Sequence, residues 1–252
     1  MALNSRKGAS SVLGPGPWYL VPTWSNRLSR NNLKTVGWVC YPHCYLNFLQ
    51  CKDLSVSKED CRRIGLSIRK KAFEKDQLFS SCEISEAGLG LKNNLIHLFD
   101  FMNITNELVI SSYMAVRSEI NTYASMKWLN NNGYNVCLPV IENENNPLEF
   151  YEWSESTQLK LGLYGIPVPY LTKKVEPDVL LCPLVSFDIH GNRLGYGGGY
   201  YDRTIQKLQI KKDILAIGLG FSEQKSRIKL PFDNNDQILD AMVTDKEFFM
   251  FN

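Results

Sequence analysis

The feature that most constrains this chain is an apolar run that leads into a glycine loop. Residues 179–187 are almost wholly apolar, which predicts a short strand buried on both faces of a sheet. A turn follows at residues 188–192, and glycines then occupy positions 195, 197, 198 and 199 before a helical pattern begins at Tyr200. A glycine loop entering a helix offers free backbone N–H groups, which is typical of an anion site, usually for phosphate.

Positive charge at both ends of the loop favours a bound anion, because Arg193 and Arg203 bracket it. The loop nevertheless matches neither common phosphate motif. A P-loop requires Gly-Lys followed by Ser or Thr, and the dinucleotide fingerprint requires glycine where Tyr200 stands. A glycine-rich hairpin without a ligand is therefore the alternative that the loop alone leaves open.

The bulk composition excludes several classes of partner. The chain has 252 residues and a formal net charge of +2, which gives no reason to expect nucleic acid or an anionic membrane as a partner. No apolar run is long enough to span a bilayer. The seven cysteines lack the spacing of a disulfide framework, so we expect reduced thiols and a cytoplasmic location.

The first 52 residues differ from the rest because they contain no Asp or Glu and are rich in Ser, Asn, Gly and Pro. We predict a poorly ordered basic leader over residues 1–52 and a single α/β domain over residues 53–252. The leader is weakly similar to an organelle transit peptide, and equally similar to a non-structural extension or to translation from a start codon assigned too early. Cys40, His43, Cys44 and Cys51 fit no standard zinc spacing, which favours free thiols over a metal site.

From Ser57 onwards, helical and strand patterns alternate. Ser57 and Asp60 resemble a capping pair, and the helix after them has an apolar stripe of Cys61, Ile64, Ile68 and Ala72. Further helices are predicted at residues 85–101, at 118–132 and from Tyr200, and further strands at residues 107–113, 134–141, 214–221 and 239–243. This alternation predicts right-handed βαβ units, and hence an α/β three-layer sandwich with a mostly parallel central sheet flanked by helices.

Two cations lie near the start of the first predicted helix. Lys58 and Arg62 are four residues apart and therefore share a face, where the positive end of the helix dipole disfavours them. A bound anion would offset that cost, whereas the alternative is an ordinary solvated basic face.

Residues 193–203, Arg-Leu-Gly-Tyr-Gly-Gly-Gly-Tyr-Tyr-Asp-Arg, closely resemble the signature of the 5-formyltetrahydrofolate cyclo-ligases, also called methenyltetrahydrofolate synthetases. Residues 183–188, 218–224 and 230–236 resemble the blocks that flank this signature. The resemblance runs from about Ser57 to the C-terminus. It implies a NagB/RpiA/CoA-transferase-like fold and an enzyme that converts 5-formyltetrahydrofolate and ATP to 5,10-methenyltetrahydrofolate, ADP and phosphate. We expect a monomer that binds these small molecules.

The resemblance also implies roles for individual residues. It assigns ATP binding to two cations of the first helix and to the glycine signature: Lys58, Arg62, Arg193, Leu194, Gly195, Tyr196, Gly197, Gly198, Gly199, Tyr200 and Tyr201. It assigns folate binding to an overlapping set: Arg62, Met114, Glu119, Trp153, Tyr196, Gly197, Gly198, Gly199 and Tyr200. It implies Mg²⁺ as cofactor, with Asp202 and Asp236 as ligands, because hard oxygen donors suit this ion.

Several of these assignments have plainer alternatives. The carboxylate of Glu119 suits the paired donors of a pterin edge, but it also suits a helix N-terminus. Phe150 and Trp153 resemble an aromatic block lining the folate pocket, although Phe150 fits an ordinary core position equally well. Asp202 could pair with Arg193 or Arg203, and His190 is expected at the surface. Val168 departs from the family, which usually has Glu there, so it is left out of the site.

The implied reaction requires no protein nucleophile, because both nucleophiles belong to the substrates. The protein must position two ligands and stabilise phosphoryl charge, which suits backbone amides, cations and Mg²⁺. Two other classes stay open at this point. One is a sugar-phosphate isomerase or CoA-transferase-like protein that uses the glycine loop for an anion. The other is a non-catalytic or differently specific homologue that binds an anion or a folate.

Overall fold

The computed structural model describes residues 56–79 and 84–251. The predictions for the leader at residues 1–52, including its four possible metal ligands, lie outside the described residues. In the described part of the chain, four α-helices have these bounds: α1, Lys58–Phe79; α2, Glu86–Met102; α3, Tyr123–Asn131; and α4, Tyr200–Gln209. No helix in this part is long and apolar enough to cross a membrane.

The described residues also form one large sheet and two small hairpins. The sheet strands are β1 (Val109–Ser111), β2 (Asn135–Val140), β3 (Glu149–Trp153), β6 (Lys174–Val175), β7 (Val179–Pro183), β10 (Leu215–Gly220), β11 (Ala241–Thr244) and β12 (Phe248–Met250). The hairpins pair β4 (Leu159–Leu161) with β5 (Pro167–Pro169), and β8 (Ser186–Phe187) with β9 (Arg193–Leu194).

Strand order in the sheet is β12-β11-β10-β7-β1-β2-β3-β6. The pairings from β11 through β10, β7 and β1 to β2 are parallel, with Ile110 opposite Val136 on one side and opposite Val179 on the other. The pairings at both edges, β11 with β12 and β2 with β3 with β6, are antiparallel. The prediction of a mostly parallel sheet is therefore confirmed.

Two apolar layers cover the two faces of this sheet. Alternate strand residues such as Ile110, Leu181 and Ile217 pack with Leu91, Leu95 and the rest of the α1–α3 layer. The intervening residues, among them Leu180 and Ala216, pack on the other face with Ile205 and Leu208 of α4. Because strand side chains alternate between faces, each central strand contributes to both layers. The result is the expected three-layer α/β sandwich.

Helix α1 begins as predicted but buries a different face. The backbone N–H of Asp60 donates to Ser57 Oγ at 3.1 Å, which caps the helix. Of the predicted stripe, Cys61 and Ala72 are buried, but Ile64 and Ile68 are each 38% exposed. The buried positions are 61, 65, 69, 72 and 76, which also follow helical spacing. The predicted buried face of α1 was wrong because it was chosen from apolar residues, whereas the buried face includes Arg69.

The apolar run at residues 179–187 forms two strands rather than one. Strand β7 ends at Pro183, and the chain then leaves the sheet to pair β8 with β9. The N–H of Val185 donates to Leu194 O at 2.6 Å, which holds this turn closed. Both segments are buried, and an apolar pattern reports burial rather than the identity of the partner strand. The helix predicted from residue 118 likewise begins only at Tyr123, so Glu119 lies in the preceding loop.

Candidate active site

A cleft with a volume of ≈ 1180 Å³ opens at the carboxyl ends of β1, β2 and β7. After β1 the chain proceeds to β2 on one side, and after β7 it proceeds to β10 on the other side. Adjacent loops that diverge in this way leave a crevice, where open α/β sheets bind their ligands. Pockets for single small molecules usually measure roughly 300–1,000 Å³, so this cleft is larger than the usual pocket for one ligand.

The glycine loop forms one wall of the cleft and ends at the N-terminus of α4. Gly197 and Gly199 have φ angles of +104° and +65°, a region that side chains disfavour. Gly199 is the N-cap residue and has no side chain to satisfy the first N–H groups of α4. Arg203 Nη2 donates to Gly198 O at 2.9 Å and so closes the loop from behind. These amides are suited to an anion.

Helix α1 brings two cations to the same loop. Arg62 Nε donates to Gly195 O at 3.2 Å, and Lys58 lies near the mouth of the cleft. The ammonium of Lys58 pairs with Asp233 at 2.6 Å and also contacts Asp236. Burial opposes the charge on Lys58, but the hydrogen bonds to these two carboxylates outweigh it and raise the pKa of the ammonium. The same contact with Lys58 lowers the pKa of Asp233.

Arg193 and Asp202 form a pair on the floor of the cleft. Arg193 Nη1 donates to Asp202 Oδ1 at 2.8 Å, and the arginine side chain is only 4% exposed. Its Nη2 has no partner within the described residues, and neither does the buried hydroxyl of Tyr113 or of Tyr201. Burial raises the pKa of both tyrosines well above the usual value, which keeps their hydroxyls protonated as donors. Unpaired buried donors that line a cleft suit an oxygen-rich ligand.

The loop after β1 carries Met114 and Glu119 into the cleft. Glu119 Oε2 accepts from the N–H of Val116 at 3.0 Å, and the residue is only 6% exposed. Burial raises the pKa of this carboxyl, while the Val116 N–H and the charges of Arg69 and Arg117 oppose that rise. Glu119 is therefore held by loop hydrogen bonds rather than by a helix N-terminus.

The predicted magnesium ligands both line the cleft. Asp202 accepts from Arg193 and from the N–H of Gln237 at 3.1 Å, and Asp236 accepts from the N–H of Asp233 at 2.8 Å. Among the described residues, no group of three or more His, Cys, Asp or Glu side chains could hold an ion alone. Two carboxylates in one cleft could serve Mg²⁺, because this ion usually takes one or two carboxylates and completes its shell with water and ligand oxygens.

The aromatic block does not lie where the sequence predicted it. Trp153 packs in the core beneath α1–α3 and lines a separate hollow near Asn130 and Tyr134, at the start of β2. It is absent from the cleft lining, as is Phe150, which is buried against the α4 side of the sheet. β3 runs antiparallel to β2, so Trp153 pairs with Val136 near the start of β2, away from the cleft at the carboxyl end of that strand. Its predicted contact with folate is therefore not supported.

The other predicted positions are placed as follows. Val168 is buried on β5 and does not line the cleft, although its neighbours Ile166 and Pro167 do. His190 is exposed in the turn before β9, as expected. All the other residues of the predicted site line the same cleft. They are Lys58, Arg62, Met114, Glu119, Arg193, Leu194, Gly195, Tyr196, Gly197, Gly198, Gly199, Tyr200, Tyr201, Asp202 and Asp236.

Sequence reasoning missed residues of the cleft that no motif marks. Asp233 shares Lys58 with Asp236, and its position three residues earlier in an acidic turn was the available signal. Tyr164, at the tip of the β4–β5 hairpin, lines the cleft. Hydrogen bonds to Tyr200 and Glu144, together with some burial, raise the pKa of Tyr164 to about 12. The approach of this hairpin to the glycine loop could not be read from the chain order.

The fold and the cleft define an α/β protein in which a glycine loop, helix-borne cations and a buried carboxylate meet at the carboxyl edge of a parallel sheet. The profile of the 5-formyltetrahydrofolate cyclo-ligase family matches residues 60–245. The chain therefore belongs to this family, whose members are ligases of folate one-carbon metabolism.

Individual relatives agree with this membership. The 5-formyltetrahydrofolate cyclo-ligase of Haemophilus influenzae is 39% identical over 124 residues, covering 46% of this chain and 65% of that protein. The enzyme of the same name from Escherichia coli K12 is 33% identical over 142 residues, covering 54% of this chain and 76% of that protein. The solved structure of Aquifex aeolicus 5,10-methenyltetrahydrofolate synthetase has a TM-score of 0.59 at 25% identity and covers 77% of this chain and 92% of that one.

Proposed function

We propose that this chain catalyses the ATP-dependent conversion of 5-formyltetrahydrofolate to 5,10-methenyltetrahydrofolate, with release of ADP and phosphate. Membership of the cyclo-ligase family supports this proposal. The observation that carries it for this molecule is the convergence of Lys58, Arg62 and Glu119 with the glycine loop on one cleft. Those residues come from α1, from the loop after β1 and from the loop after β9, and a shared ligand site accounts for their common position.

The reaction separates into two steps that the cleft could support. The formyl oxygen attacks the γ-phosphorus of ATP, an O–P bond forms, and the bond to the β-phosphate oxygen breaks as ADP leaves. The folate N10 then attacks the activated formyl carbon and loses its proton, and the carbon–oxygen bond breaks as phosphate departs. The formyl oxygen is a poor leaving group until it carries the phosphoryl group. No protein nucleophile is required, because each new bond joins substrate atoms.

In this proposal the chain supplies position and charge. The amides of residues 197–200 and the cations Lys58, Arg62 and Arg193 hold the phosphates, where fixed donors stabilise the charge of the transferring group. Asp202 and Asp236 would hold Mg²⁺, which would supply further positive charge to the phosphates. Glu119 accepts hydrogen bonds from the pterin, and Met114 packs beside it. The unpaired hydroxyls of Tyr113 and Tyr201 face the same space as donors.

The direct test is turnover of the purified chain. With MgATP and 5-formyltetrahydrofolate we expect the absorbance band of the methenyl product to appear, together with one phosphate per product. Controls omit ATP or the folate in turn. Binding of the folate without product and without phosphate release would instead indicate a non-catalytic homologue. If the purified chain neither binds nor converts the folate, the proposal is wrong.

A monomeric state, a cytoplasmic location and the absence of nucleic acid and membrane partners stay predictions.

A further inference from the structure

Arg69 is the largest side chain among the fully buried ones in the described residues, and the reaction above does not use it. It lies on the inward face of α1 and is 1% exposed. It is not among the residues that line the cleft. An arginine has five N–H donors and a permanent charge, so burying it is costly unless each is met by a partner. The partners of Arg69 therefore identify the segments of the chain that it holds together.

Those partners belong to the loops that form the cleft. Nη1 donates to Leu184 O at 3.0 Å, just after β7, and Nε donates to Ser118 Oγ at 3.2 Å, in the loop after β1. Nη2 donates to the hydroxyl of Tyr196 in the glycine loop. The guanidinium carbon also lies 4.7 Å from the centre of the Tyr196 ring. One side chain thus joins α1 to both walls of the site.

The charge of Arg69 is matched by Glu119. Nη1 lies 3.8 Å from Glu119 Oε1, and the two side chains are 1% and 5% exposed. In a dry environment, such a pair interacts far more strongly than at the surface. Burial raises the pKa of Glu119, and Arg69 is one of the groups that oppose this rise. Arg69 thereby favours the ionised carboxylate.

We propose that Arg69 is a positioning residue that couples the folate-side carboxylate of Glu119 to the glycine loop through Tyr196. The inference rests on the proposed function, because it concerns how the two ligands of that reaction are aligned. The helix that carries Arg69 also carries Lys58 and Arg62, so the phosphate cations and both loops share one rigid frame. Small misplacements of reacting groups reduce rates strongly, which is why such a frame matters.

The first experiment replaces Arg69 by methionine, which keeps the length of the side chain and removes its donors and charge. We expect KM for 5-formyltetrahydrofolate and for ATP both to rise, each about 10-fold. The acid limb of kcat/KM for the folate should move to higher pH, because Glu119 loses a group that favours its charge. A purely structural role would not shift that limb. Lys70→Met is the matched control, because Lys70 is 71% exposed on the same helix.

The second experiment tests the link to the glycine loop. Tyr196→Phe removes only the hydroxyl that Arg69 contacts, at a residue that is 42% exposed, and thermal unfolding checks the fold. We expect a higher KM for ATP, because the glycine loop loses its contact with Arg69 of α1. Adding Arg69→Met to Tyr196→Phe should raise KM for ATP little further, because both remove the same link. If KM for ATP in the double variant rose by the product of the two single effects, the two residues would act independently.

The outcomes separate this inference from the proposed function. If the unsubstituted chain neither binds nor converts the folate, the function fails. If it is active and Arg69→Met keeps its KM values and its acid limb, the positioning role is overturned. Should Arg69→Met not fold, Arg69→Lys keeps the charge, and Tyr196→Phe still tests the loop contact alone. Normal ATP kinetics in Tyr196→Phe would then overturn the coupling.

Discussion

Lys58 Nζ lies 2.6 Å from Asp233 Oδ2 and also contacts Asp236, so the first residue of α1 is tied to the loop before β11. The two segments are 175 residues apart in sequence. The ammonium side chain is 21% exposed and lines the cleft, where an incoming phosphate would compete with the two carboxylates for it. We therefore expect binding of an anion at Lys58 to release Asp233 and Asp236.

Replacing Lys58 by alanine should weaken ATP use and leave the fold intact. A hydrogen bond to a charged group contributes about 1.5–3 kcal/mol, so we expect KM for ATP to rise about 10- to 100-fold. Steady-state kinetics at saturating folate measure this, and thermal unfolding checks the fold. Lys71→Ala is the control, because Lys71 is an exposed lysine of the same helix. ATP kinetics like those of the unsubstituted chain would remove Lys58 from the site.

The two carboxylates that share Lys58 should differ in their effect on magnesium. Asp236→Asn should raise the Mg²⁺ concentration needed for half-maximal activity by about 10-fold, because an amide is a weaker ligand for this ion. Asp233→Asn removes the other partner of Lys58, at a side chain that is 56% exposed, and should leave that concentration nearly unchanged. Titration of activity with Mg²⁺ measures both. Equal shifts would show that Asp236 acts through Lys58 and not as a metal ligand.

The pH dependence of folate use should report the ionisation of Glu119. Burial raises its pKa above the usual value of 4.5, and the carboxylate is the form that accepts hydrogen bonds from the pterin. As pH falls through this raised pKa, the ionised fraction falls, so kcat/KM for the folate should decline on the acid side. Glu119→Gln should lower kcat/KM about 10- to 100-fold near neutral pH and abolish this decline. An unchanged acid limb in that variant would assign the limb to another group.

The glycines of the loop should divide into structural and ligand-facing positions. Gly199 has a φ of +65°, and a Cβ there would lie 2.7 Å from Arg203 Nη1. Gly199→Ala should therefore lower the free energy of unfolding by about 1–2 kcal/mol. A Cβ on Gly195 would meet nothing within 4 Å, so Gly195→Ala should leave stability unchanged. Because Gly195 lines the cleft, its alanine variant should still raise KM for ATP.

Denaturant unfolding and ATP kinetics on the two alanine variants test this division. Equal losses of stability would contradict it. Full activity in Gly195→Ala would place the nucleotide away from that position.

Some features of the molecule could be predicted from the chain alone because they depend on neighbours in sequence. The cap at Ser57, the helix predicted at residues 85–101 and the start of α4 at Tyr200 all follow from local spacing, and the structure confirms them. The boundary of α3 could not be predicted in this way. Residues 118–122 have a helical pattern, but Thr122 Oγ1 donates to Tyr113 O at 2.6 Å and holds them in a loop.

The aromatic block shows a second limit. A pattern of large apolar residues predicts burial for Phe150 and Trp153, and both are buried. Which end of the sheet each one faces depends on the antiparallel register of β3 with β2. That register places Trp153 opposite Val136, far along the strand from the cleft. Register is a property of two strands together, so one strand's sequence does not contain it.

The sequence by itself determined the glycine loop, the helix that it caps, the alternation of helices and strands and the family to which these belong, because each is encoded by residue types at short spacing. Only the tertiary structure decided that α1 buries Arg69 and leaves Ile64 and Ile68 exposed. The buried face of a helix is selected by what packs against it, and Leu184 O, Ser118, Tyr196 and Glu119 provide the partners that make an arginine acceptable there.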